Sequence, residues 1–196
     1  TGIPARIWVD WFGLSPNNRI AMGKEGWTFL NRFDDAMDYH RGIRPFEPAE
    51  IDAWLQSLET KARWLGDRGI AYYFTIAPNK HTIYPEYVPD YYGKAAATTR
   101  QDQLVAALRD RSTVSLIDLR ESLEQGKVDA PLYHKKDSHW NDRGAMIAAQ
   151  TVLAEIGEAA TGQRGDTDFA VRSDESESTS DHSYVMGLTR SPGQSE

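Results

Sequence analysis

Cysteine is absent from this chain of 196 residues. Its absence excludes disulfide bonds, thiol nucleophiles and zinc–thiolate sites, but it is neutral on the cellular compartment. The chain also has no apolar run of the ~18–20 residues that a membrane-spanning helix needs. A basic stripe is missing as well, since 29 acidic residues outnumber 22 basic ones and the net charge is −7. We therefore expect no nucleic-acid partner.

The residues that are present indicate a domain followed by a polar tail. Forty per cent are apolar and 26% are charged, the balance of a protein with a hydrophobic core. We predict a domain over residues 1–160, an acidic flexible loop over 161–183, and the start of a further segment or a frayed end over 184–196. The chain starts without an initiator methionine or a signal peptide, which is what a processed or truncated product shows.

Helix and strand patterns alternate along the predicted domain. Apolar residues recur at helical spacing over 47–66, about 98–110 and 141–156. Continuous apolar runs at 70–77 and 113–118 are typical of strands covered on both faces of a parallel sheet. The alternation predicts an α/β domain with a mainly parallel sheet.

Shorter elements fill the remaining stretches. The residues at 78–97 are rich in proline and predict a long loop, and loops of that length tend to be functional. Asn141 or Asp142 is predicted to cap the last helix. We also predict a turn and a short strand at 22–30, a short helix at about 119–125 and a short third strand at 131–133.

A carboxylate and an imidazole form the most suggestive pair in the sequence. Asp137 and His139 are two residues apart, so in an extended segment their side chains leave the same face. A carboxylate beside an imidazole fixes the tautomer of the ring and makes it a general base. The competing interpretation is a capping aspartate and a surface histidine beside a packing tryptophan, Trp140, and the spacing alone leaves both open.

A metal site is a second interpretation of the same stretch. His134, Asp137 and His139 offer two imidazoles and a carboxylate, and His81 offers a fourth ligand. The two lysines at positions 135 and 136 would oppose a cation there.

The long loop carries a second set of candidates. Asn79 can donate a hydrogen bond to an oxyanion, and Lys80 can bind an anionic group. The alternative is that both are merely solvated. Aromatic side chains that could stack on a sugar, or pack against their own domain, follow at Tyr84, Tyr87, Tyr91 and Tyr92.

Three segments, in this order, resemble a known family. Residues 23–30 (Gly-Lys-Glu-Gly-Trp-Thr-Phe-Leu), 77–86 (Ala-Pro-Asn-Lys-His-Thr-Ile-Tyr-Pro-Glu) and 137–145 (Asp-Ser-His-Trp-Asn-Asp-Arg-Gly-Ala) are similar to the SGNH-hydrolase-like polysaccharide O-acetyltransferases of the alginate O-acetyltransferase (AlgJ and AlgX) type. The resemblance covers most of residues 10–157, and the apolar patch at 184–188 also resembles a segment of such proteins.

The resemblance implies a fold, an activity and a setting. The fold is a three-layer α/β/α SGNH-hydrolase-like (flavodoxin-like) domain, incomplete at its C-terminus. The activity is transfer of acetyl groups from an acyl donor to hydroxyls of an exopolysaccharide, without a cofactor and with a membrane-bound acyltransferase as a further partner. The setting is the periplasm, with an inner-membrane anchor in an absent N-terminal segment.

The resemblance also assigns roles, with one departure. Asp137 and His139 match the Asp-x-His-Trp motif and are two members of a Ser-His-Asp triad, but the Gly-Asp-Ser motif that supplies the serine is missing. The nearest string, at 165–167, has threonine, and Ser191 and Ser195 lack context. We therefore expect an N-terminal fragment that is inactive alone, with its nucleophile outside this chain. The expected substrate contacts are Asn79, Lys80, Tyr84 and Trp140. Alternatives are a non-catalytic polysaccharide-binding module of the same fold and a carbohydrate acetylesterase.

Overall fold

The computed structural model describes residues 15–16, 18–32 and 35–161. The strands in this part are β1 (Ile20–Met22), β2 (Thr28–Leu30), β3 (Tyr73–Ile76) and β4 (Ser115–Asp118). The helices are α1 (Ala36–Arg41), α2 (Pro48–Gly66), α3 (Lys80–Ile83), α4 (Arg100–Arg111), α5 (Arg120–Gly126) and α6 (Asp142–Thr161). None of these helices combines the length and apolar character needed to cross a bilayer.

The two central strands pair in parallel, as the buried apolar runs predicted. β3 and β4 run side by side with Tyr73 opposite Ser115 and Ile76 opposite Asp118. Side chains alternate between the two faces of a strand, and the two hydrophobic clusters follow that alternation. Tyr73 belongs to one cluster and Phe74 to the other. Helices cover both faces, which gives the three layers of an α/β/α domain.

Each face of the sheet has its own core. The first cluster joins the sheet to α5, α6 and the β1–β2 hairpin, and its largest buried side chains are Trp27 and Phe29. The second cluster joins the sheet to α2 and α4 through Leu55, Leu58 and Leu108. Burying one such leucine stabilises the fold by about 1.5–3 kcal/mol.

The sequence gives α2 a defined start. Pro48 is the first helical residue, and Glu47 and Glu50 form a reciprocal capping box in which Glu50 accepts the Glu47 N–H at 2.9 Å. Leu55 and Leu58 then lie one turn apart on the buried face, whereas Trp54 remains 41% exposed. The helix predicted at 47–66 is confirmed.

Three local predictions need correction. The stretch at 78–97 is not a simple loop, because it contains α3 and two 3-10 turns. The third strand is not formed, and Tyr133 makes only an isolated antiparallel bridge to Trp140. The apolar residues that recur at helical spacing over 141–156 do not all face the core, since Leu153 and Ile156 of α6 are 42% and 37% exposed. The acidic loop and the segment after it lie outside the described residues.

The N-terminal hairpin turns within the Lys-Glu-Gly string. β1 pairs antiparallel with β2, Met22 opposite Thr28, and the turn between them places Glu25 and Gly26 at positive φ. Gly23 is needed for a different reason. A Cβ there would lie 2.6 Å from both the Phe29 ring and the Tyr87 carbonyl oxygen, so only glycine allows the hairpin this close.

Candidate functional site

The segment from Tyr133 to Trp140 is a closed loop that carries the predicted pair, or dyad, of Asp137 and His139. It is called the dyad loop below. The bridge between Tyr133 and Trp140 closes it, and the His134 N–H donates to the His139 carbonyl at 3.3 Å. Just outside, the Asn141 N–H donates to the Leu132 carbonyl at 2.9 Å. These bonds hold both ends of the loop beside the N-terminus of α6.

Asp137 and His139 are joined as the sequence predicted. The Nδ1 atom of His139 lies 2.7 Å from Oδ1 of Asp137, and the same carboxylate oxygen accepts the His139 backbone N–H at 2.9 Å. Asp137 keeps 14% of its side chain exposed, whereas His139 keeps 75%. With Nδ1–H donated to the carboxylate, the lone pair of a neutral ring is on Nε2, the nitrogen that a general base needs.

Ser138 is the serine closest in sequence to this pair. Its Oγ lies 3.4 Å from Nδ1 of His139, the nitrogen already engaged by Asp137. A serine activated by this imidazole must approach Nε2 instead. The geometry therefore does not give Ser138 the role of nucleophile.

Asn141 caps α6 and fixes where the loop ends. Its Oδ1 accepts the Gly144 N–H at 3.0 Å, and its Nδ2 donates to the Pro131 carbonyl at 2.8 Å. This confirms the predicted cap. Gly144 packs so closely that a Cβ would lie 2.3 Å from the Leu132 carbonyl oxygen. The start of α6 is thereby locked to the base of the loop.

Lys80 occupies a position that the sequence did not predict. It is 2% exposed, and its ammonium donates to the carbonyl oxygens of His134, Lys135 and Asp137 at 3.0, 3.1 and 2.7 Å. The expected substrate contact is therefore corrected. The buried ammonium is directed at the backbone of the dyad loop.

Tyr84 is also placed inside the fold, contrary to its predicted sugar contact. It is 4% exposed, its ring stacks on Trp27 at 4.6 Å, and its hydroxyl accepts the Leu132 N–H at 2.8 Å. Burial raises the pKa of its phenol. Tyr87 stacks on the same tryptophan at 4.8 Å, while Tyr91 is 67% exposed.

Trp140 and Asn79 have different surroundings. Trp140 is partly buried against the first cluster, 6.5 Å from the Tyr133 ring, so it packs beside the dyad. Asn79 is exposed and precedes α3 at the end of β3. The substrate contacts predicted for these two residues stay predictions.

A cavity of about 510 Å³ opens beyond the carboxyl end of β3. Its wall includes residues 74–77 and Asn79, together with aromatic side chains of α1 and α2. Neither Asp137 nor His139 lines it. Asn79 lines this cavity, and the next residue in the chain, Lys80, contacts the dyad loop. Open α/β sheets place their ligands at this end of the strands.

The alternative metal centre is not formed. No three His, Asp or Glu side chains come together as metal ligands anywhere in the described ranges. Nε2 of His81 lies 2.6 Å from the Leu30 carbonyl, and the residue is 2% exposed. His81 is thus a core residue of the hairpin side.

Sequence reasoning missed the residues that support the loop from below. The Tyr133 hydroxyl donates to the Pro78 carbonyl at 2.5 Å, and Thr28 donates its N–H to the Lys135 carbonyl at 2.9 Å. Burial raises the pKa of the Tyr133 phenol. The only available signal was that residues 23–30, 77–86 and 137–145 occur together, and the structure brings these three segments into contact.

The family is decided by the sequence. The family model described as "SGNH hydrolase-like domain, acetyltransferase AlgX" matches residues 20–194. The chain belongs to this family. It is 27% identical over 146 residues to the probable alginate O-acetylase AlgJ of Pseudomonas aeruginosa, with 71% of this chain and 33% of that protein covered. The probable alginate O-acetylase AlgJ of Pseudomonas syringae pv. tomato is 24% identical over 143 residues, with 72% and 34% covered. The chain thus spans about a third of the length of these curated relatives.

Solved structures agree on the fold. The O-acetyltransferase domain of Pseudomonas putida AlgJ matches with a TM-score of 0.52 and 25% identity, over 75% of this chain and 50% of that one. Bacillus cereus PatB1 matches with a TM-score of 0.54 and 19% identity, over 76% and 46%, and at that identity it shows the fold alone. The predicted SGNH-like α/β fold is confirmed.

Proposed function

We propose that the protein to which this chain belongs is a polysaccharide O-acetyltransferase, in which Asp137 and His139 are the orienter and the general base. The observation that carries the proposal is the 2.7 Å contact between Nδ1 of His139 and Oδ1 of Asp137 on a loop anchored to the fold. Membership of an acetyltransferase family supports the reaction class. The relatives named as alginate O-acetylases support an exopolysaccharide acceptor.

The proton path follows from the tautomer. In the first half-reaction, a serine hydroxyl gives its proton to Nε2 of His139 while its oxygen attacks the acetyl carbonyl of the donor, and the departing donor takes that proton. In the second, His139 removes a proton from a sugar hydroxyl, the sugar oxygen takes the acetyl group, and the serine recovers its proton. The carboxylate of Asp137 stabilises the imidazolium in both halves.

The nucleophile in this proposal comes from outside these 196 residues. The sequence contains no Gly-Asp-Ser string, and Ser138 faces the wrong ring nitrogen. Asn79 is the proposed oxyanion or substrate contact, since it is exposed at the end of β3. A periplasmic setting and a membrane-bound acyltransferase as donor belong to the same proposal.

The decisive experiment is acetyl transfer to a purified polysaccharide by the full-length protein, with His139→Ala compared with His134→Ala. The rate should fall by at least about 10³-fold when His139 is lost, because removal of a triad member leaves only binding and oxyanion stabilisation. His134 is the matched control. Its side chain is exposed in the same loop, and that loop uses only its backbone.

The outcomes separate the candidate functions. Equal rates for His139→Ala and the wild type would overturn the assignment of the base. Release of free acetate from an acetylated sugar, without transfer to a second one, would favour an acetylesterase. A binding module would be favoured if the wild type shows no measurable acetyl transfer and both it and His139→Ala bind the polysaccharide.

A further inference from the structure

We propose that Lys80 is a positioning residue for the Asp137–His139 pair. Its buried ammonium assembles the loop that carries the pair by binding three of the loop's carbonyl oxygens. The inference rests on the proposed function, since it assigns Lys80 a task in the same reaction.

The hydrogen bonds give the first argument. An ammonium group has three N–H donors, and three carbonyl oxygens converge on Nζ at 2.7–3.1 Å. The shortest contact is to the carbonyl of Asp137 itself. The peptide group that carries the dyad carboxylate is thus held directly by the lysine.

Burial gives the second argument. Lys80 is 2% exposed, and an ammonium is expensive to remove from water unless polar groups replace its hydration. In their present arrangement the three carbonyl groups of the loop provide that replacement. The charge therefore favours one conformation of the loop over its alternatives.

The neighbouring segments give the third argument. The ammonium lies 5.5 Å from the Trp27 ring centroid and 5.1 Å from that of Phe29, so the hairpin closes the other side of the lysine. Thr28, between these two, donates its N–H to the carbonyl of Lys135, which Lys80 also binds. The three segments that carry the family resemblance therefore meet around a single Nζ atom.

A histidine spectrum tests the inference on the chain itself. The long-range ¹H–¹⁵N correlation spectrum of the imidazoles reports which nitrogen of His139 carries the proton. We expect the Nδ1–H tautomer in the wild type and a mixture of tautomers in Lys80→Met, because the loop no longer holds Asp137 in place. Lys127→Met is the matched control. Its ammonium also donates to a backbone carbonyl, that of Ile83, and lies 5.1 Å from the Tyr84 ring, but it does not touch the dyad loop.

Chemical rescue separates the role of the ammonium from general packing. The chain has no cysteine, so in Lys80→Cys the only thiol is at position 80. Alkylation of the unfolded variant with 2-bromoethylamine, followed by refolding, rebuilds an ammonium of nearly the same reach. The single Nδ1–H tautomer should return.

If Lys80→Met fails to fold, Lys80→Arg replaces it, since it keeps a cation but presents a planar group that does not fit three converging carbonyls.

Activity completes the test. In the full-length protein, Lys80→Met should lower kcat by about 10²-fold with little change in KM, the signature of misplaced catalytic groups rather than lost binding. An unchanged His139 tautomer in the folded Lys80 variant would overturn the inference. The spectrum does not depend on turnover, so the two proposals can fail separately. If Lys80→Met changes the His139 tautomer but His139→Ala still transfers acetyl groups at the wild-type rate, the proposed function is rejected and the positioning role of Lys80 stands.

Discussion

At the scale of single residues, Gly144 shows how closely the site is packed. Its Cα faces the Leu132 carbonyl, and an added Cβ would approach that oxygen to 2.3 Å. Neither partner can yield easily, because Leu132 is fully buried and Gly144 lies in the first turn of α6. The same peptide carbonyl also accepts the Asn141 N–H.

Gly144→Ala should therefore destabilise the chain by about 1–3 kcal/mol, because overpacking against backbone forces a shift of the helix. The measurement is the urea midpoint at constant m-value. Gly66→Ala is the control. That glycine is also helical, but nothing lies within 4 Å of its added Cβ, so alanine should stabilise by about 0.5–1 kcal/mol. Similar midpoints for the two variants would contradict the packing argument.

Single residues of the site also differ in how well their positions could be predicted from the sequence. Asp137 and His139 were predictable because their contact depends on a spacing of two within one segment. The roles of Lys80 and Tyr84 were not, since a lysine and a tyrosine in a proline-rich stretch look exposed. Their burial depends on Trp27, more than 50 residues away, and local patterns do not encode such contacts.

At the scale of elements, α1 carries a histidine that should make the fold sensitive to acid. His40 is 8% exposed, its Nδ1 has no hydrogen-bond partner among the described residues, and its ring lies 5.6 Å from that of His81. Burial, reinforced by the nearby Lys94, lowers the pKa of His40 to about 4. In an unfolded chain the value is about 6.5.

The sign of the pH effect follows from these two values. Between pH 6.5 and 4 the unfolded chain binds a proton at His40 and the folded chain does not. The free energy of unfolding therefore decreases as the pH is lowered through this window. The loss from this group is on the order of 2 kcal/mol, after allowance for partial solvation.

His40→Gln should lose less stability than the wild type between pH 7 and pH 4, as measured by urea unfolding at each pH. His134→Gln, which removes an exposed imidazole, should follow the wild-type profile. Parallel profiles for His40→Gln and the wild type would show that His40 titrates normally in the folded chain.

Elements also differ in how well they could be predicted. The helices α2, α4 and α6 and the two parallel strands follow from apolar periodicity and capping residues. Helix α3 could not be predicted in this way, because Lys80–Ile83 is a single turn stabilised by its burial against the hairpin and the dyad loop. The isolated bridge at Tyr133 was mistaken for a strand because an apolar triplet looks the same in either setting.

At the scale of the whole molecule, charge is unevenly placed around the dyad. The chain carries a net charge of −7, yet Lys135 and Lys136 are exposed on the loop that bears His139. If the proposed acceptor is an anionic polysaccharide, these two lysines attract it at this loop against the net negative charge of the chain. The local attraction is what would bring an acidic sugar to the imidazole.

Replacing Lys135 and Lys136 together by glutamine should raise KM for an anionic polysaccharide about 3- to 10-fold at low salt, with kcat little changed. The difference should shrink at 1 M salt, where the Debye length is about 3 Å. Lys61→Gln, on the exposed face of α2, is the control and should have little effect. An equal rise in KM for a neutral acceptor would mean that the lysines act on the loop rather than on the charge of the substrate.

The meeting of distant segments around Lys80 also has a consequence for the order of folding. Thr28 and Lys135 are separated by 107 positions, so this contact closes one of the longest loops of the chain. The α2–β3–α4–β4 unit needs shorter closures, of 42 residues between β3 and β4 and 59 between α2 and α4, and can form earlier than the site, which must wait for the hairpin to dock. We expect the dyad loop to gain hydrogen-exchange protection last on refolding and to lose it first on warming. The pair of Asp137 and His139 would then be assembled only in chains that have finished folding.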